Sequence, residues 1–309
     1  MAGVPPIALP SELDGQRRLG PDWARWLDGL PRRFADILDE WELRRDGEEL
    51  WHGFCSLVAP VVTGDGVRAV LKLHFDGDDE SLHEALTLQH WQGQGTVRLF
   101  RADPRRRAML LERLERRDLM EVWDLPACEV VADLYPKIHL PALPQLATLT
   151  SYVSRWLDEL LEQPQDIPIP PRYREQALSL GRELVADDAS VGRIVHGDLH
   201  YMNVLAAPPD VVAERGEWLA IDPKPMSGDP HYEIAPMLWN RFDELGDNLR
   251  DGIRRRFHTI VDAAGLDEDR ARDWVVVRMV HNASWDVIDG DPDEEWLTTC
   301  FTIAKAVQE

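Results

Sequence analysis

The sequence predicts an α+β fold in two lobes, a smaller β-rich N-terminal lobe over residues 1–112 and a larger helical C-terminal lobe over residues 113–309. Three observations point there. Strand-like runs separated by Gly- and Asp-containing turns fill much of the first third of the chain. Beyond residue 113 the apolar residues recur at three- and four-residue steps, the period of amphipathic helices. A chain of 309 residues holds two lobes with a sizeable core, but not several independent domains.

Each element follows from local pattern. Trp23, Trp26, Leu27, Leu30, Phe34, Ile37, Leu38 and Trp41 line one helical face, and Pro31 predicts one broken or two short helices there. Residues 54–62 and 67–75 read as strands joined by the turn Thr63-Gly64-Asp65-Gly66, with Lys72 in the second. A helix is expected over 81–92, carrying Glu84, and two more strands over 96–100 and 107–111. Helices then follow at 126–140, 145–162 and 173–187, the last two parted by the proline-rich stretch 163–171. Residues 218–222 form a short buried strand ending in Asp222; helices at 231–242, 248–264, 268–288 and 294–307 complete the chain.

Composition narrows the function classes. With 34 basic against 56 acidic residues the net charge is −22, so nucleic acid and anionic membranes are unfavourable partners and a cationic small molecule is a favourable one. The three cysteines, Cys55, Cys128 and Cys300, are widely spaced and read as reduced thiols. The N-terminus lacks the pattern of a secretory signal, and no apolar run approaches the ~18 residues of a spanning helix, so a cytoplasmic location is expected. Lysine is scarce, only Lys72, Lys137, Lys224 and Lys305, so a lysine at a useful position carries weight.

The chemistry gathers around the loop 195–205, which sets His196, Asp198 and Asn203 between two apolar ends. Phosphotransferases of the protein-kinase type mount their machinery on such a loop. Asp198 would accept a hydrogen bond from the acceptor hydroxyl and take its proton late, and His196 would brace the loop. Asn203 and Asp222, hard oxygen donors, would hold magnesium. Lys72 would neutralise the α- and β-phosphates of a nucleotide and pair with Glu84, with Glu80 as the alternative partner. Taken singly, these are also what a polar surface turn, a solvent-facing lysine and a turn-capping acid look like; their order along the chain argues for phosphoryl transfer.

The chain resembles the aminoglycoside phosphotransferases, most closely the streptomycin 6-kinase and hydroxyurea-resistance kinase group. The likeness rests on Ser56-Leu57-Val58-Ala59-Pro60-Val61 with Ala69-Val70-Leu71-Lys72-Leu73, on His83-Glu84-Ala85, and on Leu110-Leu111-Glu112-Arg113-Leu114. It continues through residues 195–205, Ile221-Asp222-Pro223-Lys224-Pro225, Gly228-Asp229-Pro230 and residues 274–290. The resemblance implies a bilobal protein-kinase-like fold, ATP in the cleft, the backbone of Glu112 to Leu114 as adenine-contacting hinge, and magnesium-dependent transfer of the γ-phosphate to a hydroxyl. Two departures stand out. No Gly-x-Gly-x-x-Gly loop is present, so a phosphate cradle would use the Ser56 hydroxyl and nearby amides. Glu233 stands where the family pattern leads one to expect an aspartate.

For the acceptor, Asp286 and Asp289 near one face of the 268–288 helix and its end, followed by Asp291, Asp293, Glu294 and Glu295, could bind ammonium or guanidinium groups, or be a solvated acidic face. Trp285 could stack on a sugar ring or pack in the core, and Glu233 is grouped with these acceptor-side residues. The leading expectation is an antibiotic-resistance kinase acting on an aminoglycoside-like cation. The alternatives are a kinase for hydroxyurea, a sugar or an amino alcohol, and a nucleotide-binding module without catalysis.

Overall fold

The helix expected around residues 23–41 is unbroken: α2 runs Pro21–Glu40 with Pro31 inside it, after a single turn, α1, at Ser11–Asp14. Proline removes one backbone hydrogen bond. Burial of Trp26, Leu27, Leu30, Phe34, Ile37 and Leu38 along one face offsets that loss. The computed structural model describes residues 7–246, 248–288, 290 and 292–309. These divide into two compact units, the described part of Met1–Glu115 with Ala207–Arg215, and Arg116–Ala206 with Gly216–Glu309.

In the first unit, β1 (Arg44–Arg45), β2 (Trp51–His52), β3 (Ser56–Val62), β4 (Arg68–His74), β5 (Leu99–Asp103) and β6 (Ala108–Glu112) form one antiparallel sheet. The central order is β3-β4-β6-β5, with β1 and β2 both paired to β3. Side chains alternate across a sheet, so one face collects Leu57, Ala59, Val61, Ala69, Leu71, Leu73, Ala108 and Leu110. That face joins α2 in one apolar core. The register pairs Ser56 with His74, Val58 with Lys72, and Lys72 with Met109, which puts Lys72 and His74 on the other face. The helix α3, Glu84–Trp91, is shorter than expected because the acidic entry before it is a series of turns.

The second unit is helical, with two small ribbons. Its long helices are α4 (Asp124–Ile138), α5 (Leu149–Glu162) and α6 (Pro171–Ala186); later come α9 (Leu249–Ala264), α10 (Glu268–Ile288) and α11 (Glu294–Ala306). The turn α7 (Val212–Arg215) belongs with the first unit, and α8 (Ala235–Trp239) is one of several short pieces where a single helix over 231–242 was expected. Asp229 fixes that region: its carboxylate accepts from Trp274 Nε1 at 2.7 Å and His231 N at 3.1 Å and pairs with Arg270 at 2.5 Å, tying 230–234 to α10. The proline-rich link after α5 closes around Arg174, whose guanidinium donates to the carbonyls of Leu160, Pro164 and Gln163 at 2.7–2.8 Å and so caps the helix end. Among the described residues no helix is long and apolar enough to cross a membrane.

Candidate active site

The loop 195–205 is slung between β7 (Arg193–Val195) and β8 (Val204–Ala206), held at each end by a partner strand. β10 (Met226–Gly228) pairs with β7, and β9 (Trp218–Ala220) with β8. Ile221 N donates to Asn203 O at 2.9 Å just beyond β9, so Asn203 and Asp222 issue from neighbouring strand ends. Asp222 takes the left-handed conformation, φ 56°, which is uncommon outside glycine and marks a functional or strained turn. At Gly197, φ is 81° and a Cβ would come within 2.4 Å of the Lys224 carbonyl oxygen, so the loop's closest approach admits only glycine.

His196 is buried and its two nitrogens have opposite duties. Nδ1 accepts from Asp198 N at 3.3 Å, while Nε2 lies 2.9 Å from the Ile221 carbonyl and donates to it. That is the pattern of a neutral imidazole. Burial pushes its pKa down to about 4, against the pull of Asp198 and the Ile221 carbonyl, and both nitrogens are engaged, which fits bracing and not proton transfer.

The Asp198 carboxylate is 24% exposed and lies 3.3 Å from Lys224 Nζ and 3.9 Å from His200 Nε2. Asn203 Nδ2 donates to the Asp198 carbonyl at 2.8 Å, which orients the amide and leaves Oδ1 for another ligand. Asn203 Oδ1 and the Asp222 carboxylate are hard oxygens of the kind magnesium favours, so these two residues would suit that ion. Lys224 beside Asp198 was not singled out from the sequence as a site residue. Its signal was available in the scarcity of lysine.

Glu233 is fully buried beneath this loop, which corrects its placement among acceptor-side residues. Its Oε1 accepts from Gly197 N at 2.9 Å, while the Arg278 guanidinium donates to the carbonyls of Gly197 and Tyr232 and lies 4.1 Å above the Tyr232 ring. Burial pushes the Glu233 carboxyl up to about 7, outweighing the Gly197 hydrogen bond and the Arg278 charge. For a carboxyl raised in the folded state, the stabilising contribution is complete below the ordinary value of 4.5 and lost as pH rises through about 7. The size of that loss is about 3 kcal/mol. Glu233→Gln keeps an oxygen for Gly197 and should remove this component: urea midpoints at pH 5 and pH 8 should converge in the variant relative to wild type. An equal decline in both proteins would assign the pH dependence to other groups.

In the first unit, Lys72 Nζ donates to both Glu84 oxygens at 2.9 and 3.1 Å, so the expected pair with Glu84 at the start of α3 is formed. Glu84 is 0% exposed. Ser56 sits on β3 directly across from His74 and is 3% exposed, so its hydroxyl faces protein more than solvent. The Glu112 carboxylate is committed to Arg215, bidentate at 2.6 and 2.7 Å, and to Arg98 N at 3.1 Å. The Glu112 N–H also donates to the Arg98 carbonyl at 2.9 Å, so side chain and amide alike are engaged within the unit. Arg215 itself was missed; nothing local marks a partner so distant in sequence.

The acceptor-side residues fare unevenly. Asp286 Oδ2 accepts from Asp293 N at 2.8 Å, and Asp293 caps α11 by accepting from Glu295 N and Trp296 N, so these acids build a helix start. Asp289 and Asp291 lie outside the described residues. Trp285 does not pack in the core: it is 52% exposed, stacked on the half-buried His281 at 5.9 Å.

A β-rich unit with a buried strand lysine paired to a helix glutamate, and a helical unit carrying the His-Gly-Asp loop, define a protein-kinase-like small-molecule phosphotransferase. Solved structures share the fold. An aminoglycoside phosphotransferase mutant in complex with ADP and hygromycin B superposes with a TM-score of 0.60 at 17% identity, covering 88% of this chain and 97% of that one. Choline kinase from Streptococcus pneumoniae gives 0.57 at 14% identity, over 92% and 99%.

The profile of the aminoglycoside/hydroxyurea antibiotic resistance kinases matches residues 40–290, and the chain belongs to that family. Streptomycin 6-kinase of Streptomyces griseus is 39% identical over 88% of this chain and 87% of its own length. Hydroxyurea phosphotransferase of Kitasatospora aureofaciens is 36% identical over 97% and 87%.

Proposed function

We propose that the protein is an ATP- and magnesium-dependent kinase that transfers the γ-phosphate to a hydroxyl of an aminoglycoside-like cation, with streptomycin the first acceptor to test. The observation that carries this reading is the Asp198 loop, built as phosphoryl transfer needs it, in a chain 39% identical to a streptomycin 6-kinase over 88% of its length. In this reading Asp198 accepts the hydrogen bond of the acceptor hydroxyl, orients it and takes its proton as the bond to phosphorus forms. His196 and Glu233 hold the loop in shape. Lys72, fixed by Glu84, meets the nucleotide phosphates as a point charge, and the Glu112–Leu114 backbone and Ser56 line the nucleotide. Asn203 and Asp222 hold magnesium, which when bound neutralises charge on the phosphates.

The excess of acidic residues, net charge −22, draws a cationic acceptor and disfavours nucleic acid and anionic membranes, and the ATP requirement fits a cytoplasmic enzyme. Trp285 and Asp286, one exposed ring beside one acid, are the acceptor contacts to test first.

A second reading, hydroxyurea as acceptor, rests on the 36% identity to a hydroxyurea phosphotransferase over 97% of the chain. A coupled ADP-release assay with magnesium, run over aminoglycosides, hydroxyurea and small amino alcohols and followed by product mass spectrometry, separates them. Streptomycin turnover with an 80 Da mass gain (one HPO3, about 80 Da) supports the first reading. Turnover of hydroxyurea alone supports the second. ADP binding with no turnover of any acceptor would leave a nucleotide-binding module.

A further inference from the structure

The buried pair Lys72–Glu84 has a third member. His74, two residues beyond Lys72 and on the same face of β4, places Nε2 2.7 Å from Glu84 Oε2, close but off the ring N–H axis, so the contact is an ion pair more than a directed hydrogen bond. On its other side Nδ1 lies 3.2 Å from Ser81 Oγ and 3.6 Å from Asp78 Oδ2. Ser81 Oγ donates its one proton to Asp78 Oδ2 at 2.5 Å, and it also accepts from Arg107 Nη2 at 2.9 Å. The Ser81 oxygen therefore faces His74 Nδ1 as an acceptor, and Nδ1 must carry a proton.

A neutral ring protonated at Nδ1 would leave an electron-rich, unprotonated Nε2 only 2.7 Å from a Glu84 carboxylate oxygen. That is repulsive, so the geometry calls for a proton on both nitrogens. The charged and titratable groups around the imidazole are Lys72 on its own strand, Glu84 on α3, Asp78 in the turn before α3 and Arg107 beside β6. Two carboxylates are thus set against Lys72, Arg107 and the ring. Burial opposes a charge on His74, and Lys72 opposes it too, yet Glu84 and Asp78 together raise its pKa above the ordinary 6.5. Asp78 is held down at about 2 despite burial, by the Ser81 hydrogen bond at 2.5 Å and by the nearby charges of His74 and Arg107.

We propose that His74 is a positioning residue of the nucleotide-binding machinery: as an imidazolium it holds the Glu84 carboxylate for Lys72, while Asp78, Ser81 and Arg107 hold the imidazolium. The need for it is electrostatic. A carboxylate with no exposure requires compensating charge, and Lys72 must share its own with the nucleotide phosphates. A second cation beside Glu84 leaves that buried carboxylate with a charged partner when Lys72 turns to the phosphates. Nucleotide then binds best to the protonated form, and affinity falls as pH rises through the His74 pKa. The proposal rests on the reading that Lys72 meets nucleotide phosphates.

The test is binding of MgADP to the full chain by isothermal titration from pH 6 to 9, which needs no acceptor. In wild type, Kd should rise about tenfold across that range, the size expected if bound nucleotide raises the His74 pKa by one unit. His74→Gln should bind weakly at pH 6 and lose the pH dependence. Asp78→Asn, which keeps the ring but removes its partner, should move the inflection to lower pH.

A folded His74→Gln that binds MgADP as tightly as wild type at pH 6 overturns the proposal. If that variant does not fold, an Asp78→Asn inflection identical to wild type overturns it instead. Lys72→Met separates the two layers. Unchanged MgADP affinity in that variant removes the nucleotide reading itself, whereas weakened affinity in Lys72→Met with a wild-type profile in His74→Gln removes only the role of His74.

Discussion

Asp198→Asn should lower kcat for phosphoryl transfer by about two to four orders of magnitude, the range by which a positioned general base accelerates a reaction. The substitution keeps shape and removes basicity. The contacts that fix the loop run through the Asp198 backbone, its carbonyl accepting from Asn203 Nδ2 at 2.8 Å and its N–H donating to His196 Nδ1 at 3.3 Å, and both survive. Lys224 loses a 3.3 Å ion pair, but its side chain is 42% exposed, so little stability goes with it. The expected pattern is a fall in kcat with KM for ATP within about threefold of wild type, the signature of an interaction made mainly in the transition state. Stopped-assay ADP release with the best acceptor, alongside a thermal melt, measures both. A variant that keeps wild-type kcat would remove Asp198 from proton transfer and leave it a loop residue.

The sequence was most readable where function forces chemically unusual choices into short spans. A lysine inside a strand in a lysine-poor chain, and a loop crowded with His, Asp and Asn between apolar ends, stand out because no packing requirement asks for them. Lys72 with Glu84, and the loop from His196 to Asn203, follow from such signals. Helices with a clear apolar face were equally legible, and α9 runs Leu249–Ala264 where 248–264 was expected, burying Ile253, Phe257, Ile260 and Val261.

What escaped depends on partners distant in sequence. Pro31 signalled a break, but the buried face of α2 against the sheet overrides a local cost that pattern reading counts at full value. His74 looks like an ordinary strand residue until Glu84, Asp78 and Ser81 converge on it. Glu233 stood out in the sequence only as a departure from an expected aspartate, and its burial under Gly197 is what separates bracing the loop from contacting the acceptor. The left-handed turn at Asp222 has no glycine or asparagine to announce it. Asp286 and Asp293 show the converse: acids that suggested a cation site are partly explained by helix capping.

Arg215→Met should destabilise the first unit by about 3–5 kcal/mol, the usual cost of leaving a buried charge without its partner. The Arg215 side chain is fully buried and fills its fork of donors: Nε to Gly93 O at 2.9 Å, Nη1 to both Glu112 oxygens at 2.6 and 2.7 Å, and Nη2 to Thr96 O at 2.6 Å. Methionine replaces the stem and none of these bonds. It leaves the Glu112 carboxylate with only its Arg98 N–H partner, strands two carbonyls, and removes the attachment of Ala207–Arg215 to the unit in which it folds. Lysine should rescue only part of the loss, because a point charge can answer Glu112 but cannot span the two carbonyls as a planar guanidinium does.

With a urea m-value of about 1–3 kcal/mol/M, the midpoint of the affected transition should fall by on the order of 1 M or more. Two units can unfold separately, so the relevant transition is the one reported by cleavage within 207–215 under limited proteolysis. Arg98→Ala is the matched control. Its pair with Glu214 spans the same two segments at 3.3 Å, but the side chains are 41% and 68% exposed, and its loss should cost less than about 1 kcal/mol. Equal effects from the two substitutions would mean that charge alone holds Ala207–Arg215 in place. The expected difference between them assigns that task to the buried hydrogen-bond fork of Arg215.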